Sequence, residues 1–280
     1  MRCELSFLPP AGQRLRRRAE WENARGQILC LDALTAKERS RFERVSLEVS
    51  GRDAMFVKGG YRPAEHYLRV GLSAMRCIDS VLDRAPKSLR VTSILDFACG
   101  YGRILRFLRP SFPDARITAS DLDKNAAVFC ARTFQAETFL SKKDFTRFSL
   151  PGSYDLIWCG SLLSHLDESA AAALLEKFSD VLQTGGLCVF SSHGLSSFQK
   201  LTMGEDTFNL APEARRKVSA VFGVKGYAYA DYRRMRGYGV SWVLPERMIS
   251  IAQSAGAWRP VCVLEKAWDG NQDIYGFIKN

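Results

Sequence analysis

Asp96, Gly100 and Gly102 share one short stretch, Ile94-Leu95-Asp96-Phe97-Ala98-Cys99-Gly100-Tyr101-Gly102-Arg103. An apolar run from Val91 to Leu95 leads into it, and a helical pattern starts at Arg103. A strand, a small-residue turn and a helix N-terminus in that order leave bare backbone amides for a ligand to lie against. A dinucleotide fingerprint would read G-x-G-x-x-G, its glycines making room for a pyrophosphate. Here the order is Asp96-x-Ala98-x-Gly100-x-Gly102, with the acid first. A carboxylate in that position repels a pyrophosphate and suits a cationic head group.

Further groups repeat this strand-end placement. Asp121 follows about 20 residues after the glycines, where a carboxylate can accept both hydroxyls of a ribose. Leu122 would lie on the base, and Asp123 fits a helix N-cap better than Asp121 does. The sequence holds three histidines, His66, His165 and His193. His165 and His193 each follow an expected strand, on the ligand side of an open α/β sheet. At neutral pH a histidine there can act as a general base or contact an acceptor, or it can simply cap a loop.

The elements that must position these groups come in a regular rhythm. Strands are expected at 91–96, 116–120, 138–140, 154–159 and 187–191. Helices are expected at 103–108 (stopped by Pro110), 125–134 and 168–182, the last capped by Asp167 and ended by Gly185-Gly186. The alternation predicts a doubly wound, mostly parallel sheet. Residues 194–240 break it with scattered glycines, a helical segment near 212–222 and a Tyr/Arg-rich piece. They hold 8 basic and 4 acidic residues and read as a cover that shapes an acceptor pocket. A helix at 245–255 and a hairpin of strands at 258–266 and 273–278 finish the chain, so the last strand should be antiparallel. Before the first strand, an amphipathic helix from Pro63 to Asp83 packs on the sheet, and its start (Tyr61, Arg62, Tyr67) can reach over the ligand. The organisation expected is an N-terminal extension over 1–60, with Pro9-Pro10 and Gly59-Gly60 as breaks and an irregular apolar helix face at Leu15, Ala19, Ile28 and Leu29. A single domain then covers 61–280, with 194–240 as the cover.

Bulk composition limits what such a chain can be. It has 280 residues, 46% hydrophobic and 11% aromatic, which supports a well-cored globular protein. The net charge of +10 permits an anionic partner, and is also common among enzymes without one. Eight cysteines, among them Cys3, show no C-x-x-C spacing, so neither a zinc site nor any other metal is expected. Scattered through apolar runs, they suit a reducing, cytoplasmic compartment. The N-terminus lacks the apolar core of a signal peptide, and no stretch approaches the roughly 20 apolar residues of a membrane span.

S-adenosylmethionine carries an ammonium, a sulfonium and no phosphate, which is the ligand chemistry the Asp96 turn favours. Over about residues 60–280 the chain resembles a class I (Rossmann-like) S-adenosylmethionine-dependent methyltransferase of the small-molecule type. Asp96 to Gly102 is similar to that family's first motif, with Ala98 where glycine is frequent. The resemblance implies a seven-stranded sheet with an antiparallel last strand. It implies that Asp96, Ala98, Cys99, Gly100, Gly102 and Arg103 line the methionine part of the cofactor. Asp121 would hold the ribose, Leu122 the adenine face, and Asp144 with Phe145 the adenine edge. Cys159 and Gly160 open the run Cys159-Gly160-Ser161-Leu162-Leu163-Ser164-His165-Leu166, which flanks the transferred methyl group. That run lacks the N/D-P-P-Y/F motif of enzymes methylating DNA bases or glutamine, and resembles small-molecule enzymes instead. The implied reaction is methylation of a small-molecule acceptor, a hydroxyl of a sugar or secondary metabolite, with His165 or His193 as base. Two alternatives stay open: an RNA- or protein-modifying methyltransferase, and a regulatory protein that binds the cofactor without transfer. The acceptor and the oligomeric state are not specified by the resemblance.

Overall fold

Burial of alternating and continuous apolar runs builds one mixed sheet with helices on both faces. The computed structural model describes residues 11–31, 33–57, 63–233 and 235–280. Cys3, Pro9-Pro10, Gly59-Gly60, Tyr61 and Arg62 lie outside the described residues. Four helices come first: α1 (Ala11–Leu31), α2 (Ala36–Glu43), the short α3 (Ala54–Val57) and α4 (Pro63–Leu82). The alternating part follows as β1 (Ser93–Phe97), α5 (Leu105–Ser111), β2 (Arg116–Asp121), α6 (Lys124–Phe134), β3 (Glu137–Leu140), β4 (Tyr154–Cys159), α7 (Glu168–Val181) and β5 (Leu182–Ser192). Next come α8 (Leu195–Met203), α9 (Pro212–Lys225), β6 (Tyr227–Tyr232) and β7 (Met235–Val243). The chain closes with α10 (Pro245–Ala255), β8 (Trp258–Trp268) and β9 (Gln272–Lys279).

The seven-stranded sheet has the order β3-β2-β1-β4-β5-β9-β8. Strands β1 to β5 pair in parallel, while β9 runs antiparallel to both β5 and β8. The last strand is thus the antiparallel one, as expected, and it inserts between β5 and β8. Strands β1 and β9 are buried on both faces, with apolar stretches Ile94-Leu95 and Ile274-Tyr275-Gly276-Phe277-Ile278 at their centres.

Capping residues sit where the sequence placed them. Asp123 accepts from the Asn125 amide at 2.8 Å, and Asp167 from the Ala170 amide at 2.8 Å. Three local expectations need correction. Helix α7 ends at Val181 and not at the glycine pair, because Leu182 turns extended and its buried side chain joins the strand. Lys279 Nζ then satisfies the freed Ser179 and Leu182 carbonyls at 2.6 and 2.8 Å. Gly185, with φ +79°, lies inside β5 near a register shift against β4. Pro110 does not stop α5, since it falls in the last turn and Ser111 Oγ donates back to the Phe107 carbonyl at 2.7 Å. The buried stripe of α1 is Trp21, Ala24 and Ile28, with Ala19 exposed.

One apolar core runs from α1 and α2 through α4 to the strands: Trp21, Ile28 and Phe42 share it with Ile78, Ile94 and Val189. A second fills the other face between the sheet, α7 and α10. The third lies within residues 194–244, where Trp242, Phe222, Val218 and Leu201 pack α8 and α9 against the β6–β7 hairpin. The expected cover is therefore a structured subunit of the fold with its own apolar centre.

Candidate active site

The strand ends of β1, β2 and β4 open into one cavity of about 810 Å³. Its floor is the β1 turn. Ala98 and Gly102 take left-handed backbone conformations with φ +61° and +76°. A Cβ on Gly102 would meet Phe134 Cε2 at 2.3 Å, so only glycine lets this turn sit against α6. Gly100 donates its amide to Asp121 Oδ2 at 2.8 Å, tying the turn to the end of β2. The other Asp121 oxygen accepts from the Asp123 amide at 2.9 Å.

Asp96 lines the cavity and is 1% exposed. Its Oδ2 finds no hydrogen-bond partner in the protein. Burial, and then the Asp121 charge nearby, push its carboxyl well above the usual range. A buried carboxylate oxygen left unpaired costs free energy unless a donor or cation reaches it, so this side of the cavity fits a cationic head group. Arg103 lines the same wall, with its guanidinium 5.7 Å from the Tyr67 ring centre, and burial lowers its pKa. Tyr67 itself is not part of the lining; it is buried and donates to Asp53 Oδ2 at 2.6 Å.

Of the expected cofactor residues, Asp96, Ala98, Cys99, Gly100, Arg103, Asp121, Leu122, Phe145 and Gly160 line the cavity. Gly102 and Cys159 lie outside the lining, Cys159 fully buried in the apolar core that includes α7. Asp144 is turned away. Its carboxylate accepts from the Thr146 amide and hydroxyl at 3.0 and 2.6 Å and pairs with Arg147, capping a 3-10 turn. Ser141, Lys142, Lys143 and Phe145 face the cavity there instead.

The opposite wall comes from β4, the cover and the final hairpin. Ser161, Leu162, His165 and Leu166 meet Met235, Arg236, Gly237 and Tyr238 of the cover. Trp158 and Trp268 form an edge-to-face pair at 5.4 Å beneath them. Ser161, at φ +59°, is held by a relay: its amide donates to Ser191 Oγ (2.7 Å), Ser191 donates to Gln272 Oε1 (2.6 Å), and Gln272 Nε2 donates to Ser161 Oγ (2.9 Å). Trp158, Trp268 and Gln272 were not expected site residues. Gln272 and Trp268 are 111 and 107 positions from Ser161, and only the insertion of β9 beside β5 brings that hairpin to the site.

The two candidate histidines separate. His165 is half-buried on the cavity wall. Its Nδ1 lies 2.8 Å from the Gly239 carbonyl, and burial keeps its pKa below the ordinary value. His193 is 6% exposed and outside the lining, packed between Phe208 and Trp242 at 5.5 and 6.2 Å. Burial lowers its pKa to about 4, helped by His165. The cover folds over the end of β5 and closes His193 off, which its strand-end position did not reveal.

Comparison with known proteins agrees with this architecture. Residues 94–186 match the family described as a methyltransferase domain. Over 153 residues the chain is 26% identical to malonyl-[acyl-carrier protein] O-methyltransferase of Acetivibrio thermocellus, a span of 54% of this chain and 50% of that protein. The chain thus spans about half the length of the curated relative it matches. In fold it resembles an S-adenosylmethionine-dependent methyltransferase from Clostridium acetobutylicum (TM-score 0.51, 14% identity, 76% of this chain and 92% of that one). It also resembles DesVI of Streptomyces venezuelae (TM-score 0.53, 16% identity, 83% and 100% covered). The segment from β1 into β5 is thus similar to a methyltransferase domain, and it lies on a class I, Rossmann-like fold. Among the described residues no helix is long and apolar enough to cross a membrane, and no cluster of potential metal ligands occurs.

Proposed function

We propose that the protein transfers a methyl group from S-adenosylmethionine to a hydroxyl of a small-molecule acceptor such as a sugar or secondary metabolite. The observation that carries this reading is a single cavity lined by both the unpaired Asp96 carboxylate and His165. When bound, S-adenosylmethionine supplies a methyl group whose bonding electron pair leaves with the sulfur. Asp96 would balance the ammonium and Arg103 the carboxylate of its methionine part. Asp121 would accept the ribose hydroxyls, and Leu122 with Phe145 would flank the adenine. The Asp96 carboxyl, disfavoured as an anion by burial, regains its charge beside that ammonium.

His165 would take the proton of the acceptor hydroxyl, and its lowered pKa keeps it unprotonated and able to do so at neutral pH. Buried Trp158 and Trp268 supply an apolar wall for the acceptor, and the more exposed Met235 and Tyr238 extend it toward the cavity mouth. A volume of about 810 Å³ lies in the upper part of the range of small-ligand sites, roughly 300–1,000 Å³. The cover over it favours a small acceptor over a macromolecular one.

The test is transfer from labelled S-adenosylmethionine to fractionated cell extract. Label in a small, neutral-extractable product bearing an O-methyl group is expected. Label confined to RNA or protein would contradict the acceptor class, and no label with cofactor bound would favour the regulatory alternative.

A further inference from the structure

The His165 ring is held by a different element from the one that carries it. Its Nδ1 lies 2.8 Å from the Gly239 carbonyl oxygen and 3.1 Å from Tyr232 Oη, and its ring stacks on Tyr238 at 5.1 Å and 29°. All three partners belong to the β6–β7 hairpin. A carbonyl oxygen can only accept, so the 2.8 Å contact requires the proton on Nδ1. A neutral imidazole has one such proton, which leaves the lone pair on Nε2. Tyr232 Oη then faces an N–H and serves as a second acceptor. Gly239 is held closely in its turn: a Cβ there would stand 1.9 Å from the Ala230 carbonyl oxygen on β6.

Resting on the function proposed above, we propose that the cover hairpin is the positioning device for the base. The Gly239 carbonyl and Tyr232 hydroxyl fix His165 as its Nδ1–H tautomer and present Nε2 to the acceptor hydroxyl. The acceptor proton passes to Nε2, and the resulting positive ring keeps its Nδ1–H against two oxygens. The proton path therefore runs through a residue on the methyltransferase domain whose tautomer is set by the appended cover. Among the other ionisable groups around it, Tyr238 stacks on the ring, Arg236 shares the cavity lining, the buried His193 interacts with it electrostatically, and Tyr227 Oη and Asp167 bond to the Leu166 carbonyl and the Ala170 amide just after it in the chain.

Long-range proton–nitrogen spectra of the ¹⁵N-labelled protein test this directly. With three histidines in the chain, His165→Gln assigns the signal. At pH 8 the expected spectrum shows a protonated Nδ1 and a bare Nε2; an Nε2–H tautomer overturns the proposal. Tyr232→Phe should lower the His165 titration midpoint by roughly half a unit to one unit, because one acceptor for the charged ring is lost. An unmoved midpoint reduces Tyr232 to packing and overturns its role. Gly239→Ala should give mixed tautomers; if it does not fold, the first two measurements still decide. S-adenosylhomocysteine binding on the same samples separates the two readings. A wrong tautomer with binding intact overturns the positioning alone, and absent binding with the right tautomer overturns the proposed function alone.

Discussion

Asp96 shows how one residue can trade stability for ligand chemistry. Its carboxyl titrates well above the usual range in the fold because burial and the Asp121 charge both oppose ionisation. A carboxyl with a raised folded pKa binds more protons folded than unfolded. Its favourable contribution is therefore present at low pH and lost as pH rises from the ordinary carboxylate range through the raised value. Asp96→Asn should raise the melting temperature of the ligand-free protein at pH 7 and weaken S-adenosylhomocysteine binding at the same time. Scanning fluorimetry with and without that ligand reads both; a lowered melting temperature without ligand would contradict the assignment. His193 runs the opposite way. Its pKa falls from about 6.5 to about 4 on folding, so its contribution is complete above the unfolded value and is lost as pH drops through that window. The loss is on the order of 3 kcal/mol. His193→Phe should flatten the stability curve between pH 6.5 and 4, measured by urea titration at several pH values. An unchanged slope would place the ring in water.

At the scale of elements, the β1 turn is the most exacting piece of backbone. Gly102→Ala meets both a positive φ and Phe134 at 2.3 Å. Overpacking and left-handed strain together predict a loss of about 2–5 kcal/mol, read as a shift in denaturant midpoint. A shift under about 0.5 kcal/mol would mean that the turn relaxes freely. This turn, the ends of β2 and β4, the Asp123 and Asp167 caps and the terminal hairpin were all legible because their signals are local. Glycine spacing, a cap residue and an apolar run each carry their meaning within a few positions. The wall formed by Trp158 and Trp268, the Ser161–Ser191–Gln272 relay and the closure over His193 were not legible, because each depends on which strand lies beside which. Asp144 shows a further limit: a carboxylate two residues from a backbone amide can cap its own turn, and the sequence alone does not reveal which use it takes.

For the whole molecule, the sheet and the N-terminal helices share one core. Trp21 of α1 contacts Phe56 and Tyr67 at 5.0 and 5.4 Å, and Arg41 pairs with Asp79 across α2 and α4. The fully buried Arg106 donates to the Ser46 and Glu48 carbonyls at 2.6 and 3.2 Å, binding the segment before α3 to α5. Trp21→Ala should therefore cost about 3–5 kcal/mol in one cooperative unfolding transition; calorimetry showing an early separate transition would make the N-terminal helices an independent unit. The central claim concerns what the cavity holds, and calorimetric titration of the protein with S-adenosylhomocysteine tests it most directly. We expect saturable one-to-one binding, weakened by about 1–3 kcal/mol in Asp121→Ala as a charge-assisted contact is lost. Absence of heat and of thermal stabilisation in the folded wild-type protein would contradict the account.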